Sequence, residues 1–253
     1  MELSLISVEQ QNSITVIQLK NPPANTLSIP VCQELVCAFS ALPEETRVVI
    51  LTGNETFFSA GANIKYFSLE EPEKNEAYFT AIYAALDAVW QCPFPVIAAV
   101  NGVSMGGGME LALCCDLRVV DESLRMGATS ANMGLVFCTQ RLPRLIGTSR
   151  AMELLLTARV IDGKEAKACG IACTVAESGQ ALAAALEIAK GMAAKPTVCL
   201  QSIKQAVREG ENLPLASAVP HEQKRLFASF RTEGFRQQVT NFLHRKEKKQ
   251  ERN

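Results

Sequence analysis

The chain is poor in charge of one sign and in metal ligands. Its 25 basic and 26 acidic residues leave a net charge of -1, which makes no electrostatic case for nucleic acid or an anionic membrane surface as a partner. Only 2 histidines are present and no C-x-x-C spacing occurs, so a zinc site is not expected. No apolar run approaches the ~20 residues that span a bilayer. The opening M-E-L-S-L-I-S-V-E lacks the basic start and apolar core of a secretory signal and the arginines of a transit peptide. The closing Glu-Arg-Asn is not the Ser-Lys-Leu peroxisomal address. The dinucleotide fingerprint G-x-G-x-x-G with a following acid is missing, and so is the Gly-Lys-Ser/Thr of a Walker loop. The 9 cysteines are odd in number and scattered. Without a secretion signal they fit a reducing compartment, the cytosol being the simplest expectation. Cys32, Cys37, Cys114, Cys115 and Cys199 fall in apolar helical stretches, where free cysteine behaves as a small hydrophobe.

The 253 residues are 48% apolar and 20% charged, ordinary for one large globular domain or a domain with a small appendage. Ser4 to Glu9 and Ile14 to Leu19 read as a hairpin over a polar turn. Pro30 suits the first turn of a helix reaching about Leu42. A strand follows at Arg47 to Thr52. Leu69 to Asn75 is acidic, contains Pro72 and reads as a loop. Ala77 to Gln91 is helical, with Phe79, Ile82, Leu86 and Val89 at spacings of three and four. Strand Val96–Val100, a helix from Gly107 and strand Leu117–Val120 continue the alternation, which argues for parallel pairing in an α/β fold. Beyond about Ile146 only Ala172 to Val175 reads as strand. Ala151–Leu156, Gln180–Ala194, Thr197–Glu209, Leu215–Arg231 and Phe235–Lys246 read as helices. No repeat, low-complexity tract or long linker is visible.

Two segments stand out. In C-P-F-P-V-I-A-A-V-N-G-V-S-M-G-G-G-M-E-L-A-L-C-C-D-L-R (Cys92 to Arg118) a buried-strand run turns at Asn101-Gly102, and Gly106, Gly107 and Gly108 open a helix. The glycines allow close helix–strand packing or close approach of backbone to a ligand. The first N–H groups of a helix lack internal partners and carry partial positive charge, as a developing oxyanion requires. Glu110 falls in that first turn. In the other segment, Val48 to Gly53 is a strand run followed by F-F-S-A-G-A-N-I-K (Phe57 to Lys65), again a small-residue turn after a strand.

Together with N-P-P-A-N-T-L (Asn21 to Leu27), T-Q-R-L-P-R-L-I-G (Thr139 to Gly147), A-M-E-L-L-L-T and I-D-G-K-E-A-K-A-C-G-I-A (Ile161 to Ala172), these stretches resemble the enoyl-CoA hydratase/isomerase (crotonase) superfamily, in the right order and from about residue 5 to Lys249. The resemblance implies an α/β fold with a crotonase-type ββα spiral core over residues 1–200. It also implies a helical C-terminal region, 201–253, that packs into a homotrimer or a dimer of trimers. The substrate would be an acyl-CoA or acyl-carrier thioester, with coenzyme A belonging to the substrate and no separate cofactor. The amides of Ala62 and Gly107 would form the oxyanion hole. Ala60, Gly61, Ile64, Lys65, Gly106 and Leu135 would contact the substrate, although Lys65 is also consistent with a solvated lysine. The charged run R-K-E-K-K-Q-E-R near the C-terminus would be a solvated tail or a basic rim for CoA phosphates of a neighbouring subunit.

Glu110 matches the first of the two acids of family hydratases. The second is missing. Aligning on Met126-Gly127, Ser130 takes its place and Thr129 that of the preceding proline, and the following loop is shorter, with Leu135-Val136-Phe137-Cys138 in place of glycines. A hydroxyl can hold a water but does not supply a proton near neutral pH. Four readings remain open here: a hydratase relying on Glu110, a decarboxylase or thioester hydrolase, an isomerase using Glu110 alone, or a catalytically degenerate acyl-CoA-binding subunit. Cys138 and His221 are possible stand-ins, His221 fitting a surface residue at a helix start equally well.

Overall fold

A computed structural model describes residues 3–250, with side chains through residue 244. The side chains of the charged run from Arg245 lie outside the described residues. The chain forms two compact units, one ending at Gly191 and the other beginning at Met192.

The first unit opens with β1 (Ile6–Gln11) and β2 (Ile14–Leu19), an antiparallel hairpin turning at Asn12, whose φ is 54°. Helix α1 (Ile29–Ser40) follows, its Ser28 hydroxyl accepting from the Val31 amide and its proline in the first turn. Next come β3 (Val48–Thr52), β4 (Phe57–Ser59) and α2 (Pro72–Trp90). The pattern recurs as β5 (Val96–Val100), β6 (Val103–Met105) and α3 (Gly107–Cys114), and again as β7 (Leu117–Asp121), β8 (Arg125–Gly127) and α4 (Arg141–Ile146). Each repeat contributes one strand to a six-stranded sheet ordered β1-β2-β3-β5-β7-β9 and one to a three-stranded sheet ordered β4-β6-β8. Beyond the hairpin all pairs are parallel. This is the ββα spiral. It is a repeat of architecture with no repeat of sequence, because burial asks only for apolar character at each position.

Every residue of β3 and β5 is buried, as continuous apolar runs in a sheet covered on both faces require. The unit is completed by α5 (Thr148–Thr157), α6 (Gly163–Ala168), β9 (Thr174–Ala176) and the start of α7 (Ala181–Ala193). In α7, Ala181, Ala185 and Ala189 are buried at helical spacing.

The segment 69–75 is only partly the loop expected from its acidity. Helix α2 begins at Pro72, with Glu73 in its first turn. Proline at the first helical position loses no internal hydrogen bond, and an acid there favours the dipole.

The second unit holds α8 (Thr197–Gly210), α9 (Leu215–Ser229) and α10 (Glu233–Gln250). Arg225 of α9 donates to Gln205 and Glu209 of α8. Pro220 lies inside α9, so the exposed His221 sits mid-helix and not at a helix start. Cys199 of α8 is exposed and does not act as a packed hydrophobe.

Candidate active site

The site grows out of the turn after β4. Ser59 is buried, its hydroxyl donating to the Asn25 carbonyl at 2.6 Å and accepting the Gly61 amide at 3.1 Å. The Asn25 side chain donates to the Phe57 carbonyl, and the Ala60 amide to the Ala24 carbonyl. The N-P-P-A-N-T-L stretch is therefore the brace of this turn. At the end of that stretch, Leu27 pairs with Ala62 as an isolated parallel bridge, its amide donating to the Gly61 carbonyl at 2.8 Å.

Helix α3 starts against the same turn. A Cβ on Gly108 would lie 2.1 Å from the Ser59 carbonyl oxygen, and one on Gly61 (φ 89°) would lie 2.4 Å from that of Met105. No side chain fits either place, and at Gly108 this is the close helix–strand packing that the three glycines allow. Gly107 differs. Its Cβ would meet Leu27 at 3.2 Å and stand 3.5 Å from the Ala62 nitrogen. The amides of Ala62 and Gly107 thus border one small space, and neither donates to a protein acceptor among the described residues. Two adjacent N–H groups, one at a helix N-terminus, can together hold an oxygen that gains negative charge.

Glu110 lies in the first turn of α3 and is 3% exposed. Its Oε1 accepts from Arg141 Nη1 at 2.7 Å. Its Oε2 is buried with no hydrogen-bond partner among the described residues. The Arg141 guanidinium is also stacked over the Trp90 ring, 5.1 Å from its centroid. Cys138 is buried in the left-handed region (φ 61°), and its thiol is directed to the Gly106 carbonyl at 3.5 Å. Burial pushes that thiol well above the ordinary range, and the Glu110 carboxylate raises it further. It is held as a neutral thiol. Burial, then the same carboxylate, raises the Tyr83 phenol on α2. Phe137 packs edge-on against Phe79 and Tyr83, so the short loop before Thr139 fills space with aromatic carbon.

The remaining expected residues fall as follows. Ala60 and Ala62 are half-buried, Gly61 and Gly107 buried, and Ile64 and Lys65 exposed on the 3-10 turn Ile64–Tyr66. Gly106 is half-buried in the left-handed region. Ser130 is half-buried on the 3-10 turn Thr129–Met133, where Thr129 Oγ1 would be 3.7 Å from a Cβ on Gly106. Leu135 is half-buried and Val136 exposed. Sequence reasoning assigned no role to Arg141, although it belongs to the T-Q-R-L stretch that carried the resemblance. A charged residue inside a motif stretch was the available signal.

The enoyl-CoA hydratase/isomerase family model matches residues 9–252. The chain belongs to that family. Relatives include a probable enoyl-CoA hydratase of Bacillus subtilis, 31% identical over 96% of this chain and 97% of that protein. The human mitochondrial methylglutaconyl-CoA hydratase is 34% identical over 88% of this chain and 69% of its own length. Among solved structures, an enoyl-CoA hydratase from Bacillus anthracis superimposes with a TM-score of 0.92 at 33% identity, covering 96% of this chain and 97% of that one. Membership in the enoyl-CoA hydratase/isomerase family makes this an acyl-CoA enzyme of the crotonase fold. No helix among the described residues is long and apolar enough to cross a membrane.

Proposed function

We propose that this enzyme hydrates an enoyl thioester slowly, using one carboxylate where family hydratases use two. The observation that carries this reading is Glu110: buried, fixed through one oxygen by Arg141, and with the other oxygen unpaired. The thioester carbonyl oxygen would sit between the Ala62 and Gly107 amides, which favour the enolate over the ground state. Glu110 Oε2 would take a proton from water as its hydroxide joins the β-carbon, and then return that proton to the α-carbon. The atoms balance with no other co-reactant. Ser130, in the place of the second acid, would accept or donate a hydrogen bond to the water and carry no proton. General acid–base help is worth about 10²–10⁴ in rate, so the missing acid makes the reaction slow.

A second reading is favoured by the same substitution. An oxyanion hole with one carboxylate serves thioester decarboxylation, where the departing carbon dioxide leaves the enolate and no water need be activated. Mixing the enzyme with crotonyl-CoA in labelled water, and separately with a malonyl-type thioester, separates the two. Label in a 3-hydroxyacyl product supports hydration. Enolate protonation after loss of carbon dioxide supports the alternative. Tight acyl-CoA binding with neither product would identify a degenerate binding subunit.

A further inference from the structure

Ala62 is one of three consecutive residues facing Leu27, and its two neighbours are both tied down. The Gly61 carbonyl accepts the Leu27 amide at 2.8 Å. The Asn63 amide donates to the Tyr78 hydroxyl at 2.6 Å, and that hydroxyl donates to the Leu27 carbonyl at 2.6 Å. A single side-chain oxygen from α2 thus joins the two backbone strands that flank the Ala62 amide. Tyr78 itself is fixed. It is 1% exposed. Its ring stacks on Tyr66 at 5.0 Å and meets Phe67 and Phe79 edge-on at 5.9 and 5.6 Å. Burial pushes its phenol up to about 12, so the hydroxyl keeps its proton at working pH.

We infer that Tyr78 is a positioning residue that aims the Ala62 amide. A phenylalanine in its place would keep the ring packing and lose only the bridge. The Asn63 N–H and the Leu27 carbonyl would then lose the hydroxyl that joins them, and the 61–63 turn would hold the intervening amide less firmly. A donor in an oxyanion hole works only where it meets the developing charge, and a misplacement of about 1 Å can cost up to about 10²-fold in rate. Helix α2 would thereby couple to catalysis through one oxygen atom. This inference rests on the oxyanion reading of Ala62 and Gly107 above.

The test uses butyryl-CoA labelled at the thioester carbonyl carbon, a saturated ligand that does not react by hydration. Its carbon NMR shift on the saturated enzyme reads carbonyl polarisation directly. The wild type is expected to move the signal downfield. Tyr78→Phe is expected to lose at least half of that displacement, and to lower kcat for crotonyl-CoA about 10-fold with KM near the wild-type value, a smaller loss than removal of a donor gives. Ile82→Val, which trims the buried core on the same helix, is expected to lower thermal stability and leave the carbonyl shift in place. A full wild-type displacement in Tyr78→Phe, or an equal loss in Ile82→Val, overturns the role of Tyr78. A wild type that leaves the carbonyl unpolarised overturns the oxyanion reading itself, and this inference with it. Should Tyr78→Phe fail to fold, hydrogen exchange in the wild type decides: the Asn63 amide is expected to be protected, and exchange at the rate of an open loop contradicts the bridge.

Discussion

Arg141 Nη1 lies 2.7 Å from Oε1 of Glu110, and the second oxygen of that carboxylate has no hydrogen-bond partner among the described residues. The pair divides the work of one side chain. One oxygen is held and oriented by the guanidinium. The other is the atom that the proposed reaction would use. The arginine is held in turn by the face of Trp90, so helix-to-helix packing of α2 and α4 braces the Glu110 carboxylate.

Breaking this pair should be costly from one side only. Arg141→Met would leave Glu110 buried and unpaired, at about 3 kcal/mol, the low end of the range for buried pairs because Arg141 is 23% exposed. Adding Glu110→Gln should recover part of that loss, since the uncompensated charge is gone. Chemical denaturation of the two single variants and the double variant reads the coupling. Additive losses would show that the pair carries none.

Gly107 and Gly108 should respond differently to one added methyl group. Gly108→Ala drives a Cβ to 2.1 Å from the Ser59 carbonyl and is expected not to fold. Gly107→Ala meets only Leu27 closely, at 3.2 Å, and places its methyl 3.5 Å from the Ala62 nitrogen. It is expected to fold and to lose turnover by occupying the space between the two amides. Circular dichroism and acyl-CoA turnover on both variants check this contrast.

Stability should fall with acid partly through Glu34. Burial raises its carboxyl, but the amides of Leu5 and Ser4, at 2.8 and 3.0 Å, outweigh this and hold it below the usual range. A depressed folded-state value means the stabilisation is present above the unfolded value of about 4.3 and is lost as pH falls through the folded one. Glu34→Gln is therefore expected to lower Tm at neutral pH and to flatten its decline in acid. Parallel Tm-against-pH curves for the two proteins would contradict it.

The helices of the second unit expose Ile203, Val207, Leu226, Phe227 and Phe242, and Phe230 is exposed just after α9. Scattered apolar residues are normal on a surface, but a set this dense is what a subunit interface would cover. We expect a trimer or a dimer of trimers, burying more than ~1,000 Å² at each contact. Light scattering at micromolar concentration reads the mass, and a monomer would contradict the expectation.

Much of the spiral was legible because buried parallel strands are continuous apolar runs, as in Val48–Thr52 and Val96–Val100. The second sheet was not. Its strands Phe57–Ser59, Val103–Met105 and Arg125–Gly127 have 3 residues each, too few for any period to show. They nevertheless press Gly61 and Gly108 against backbone. The two turns around Ala62 and Gly107 could be recognised from their small residues, and they do meet. Their supports could not be, because Tyr78 reaches Leu27 across 51 positions and Arg141 reaches Glu110 across 31. Such contacts follow from the path of the chain, which local pattern does not record.

In the proposed reaction Glu110 is the one working carboxylate, with Ser130 where a second acid would stand. Crotonyl-CoA hydration by the wild type, Glu110→Gln and Ser130→Glu tests it most directly. Slow hydration is expected from the wild type, none from Glu110→Gln, because an amide neither takes nor returns the proton, and a gain from Ser130→Glu. Hydration by the wild type at rates normal for a hydratase, undiminished in Glu110→Gln, would contradict it.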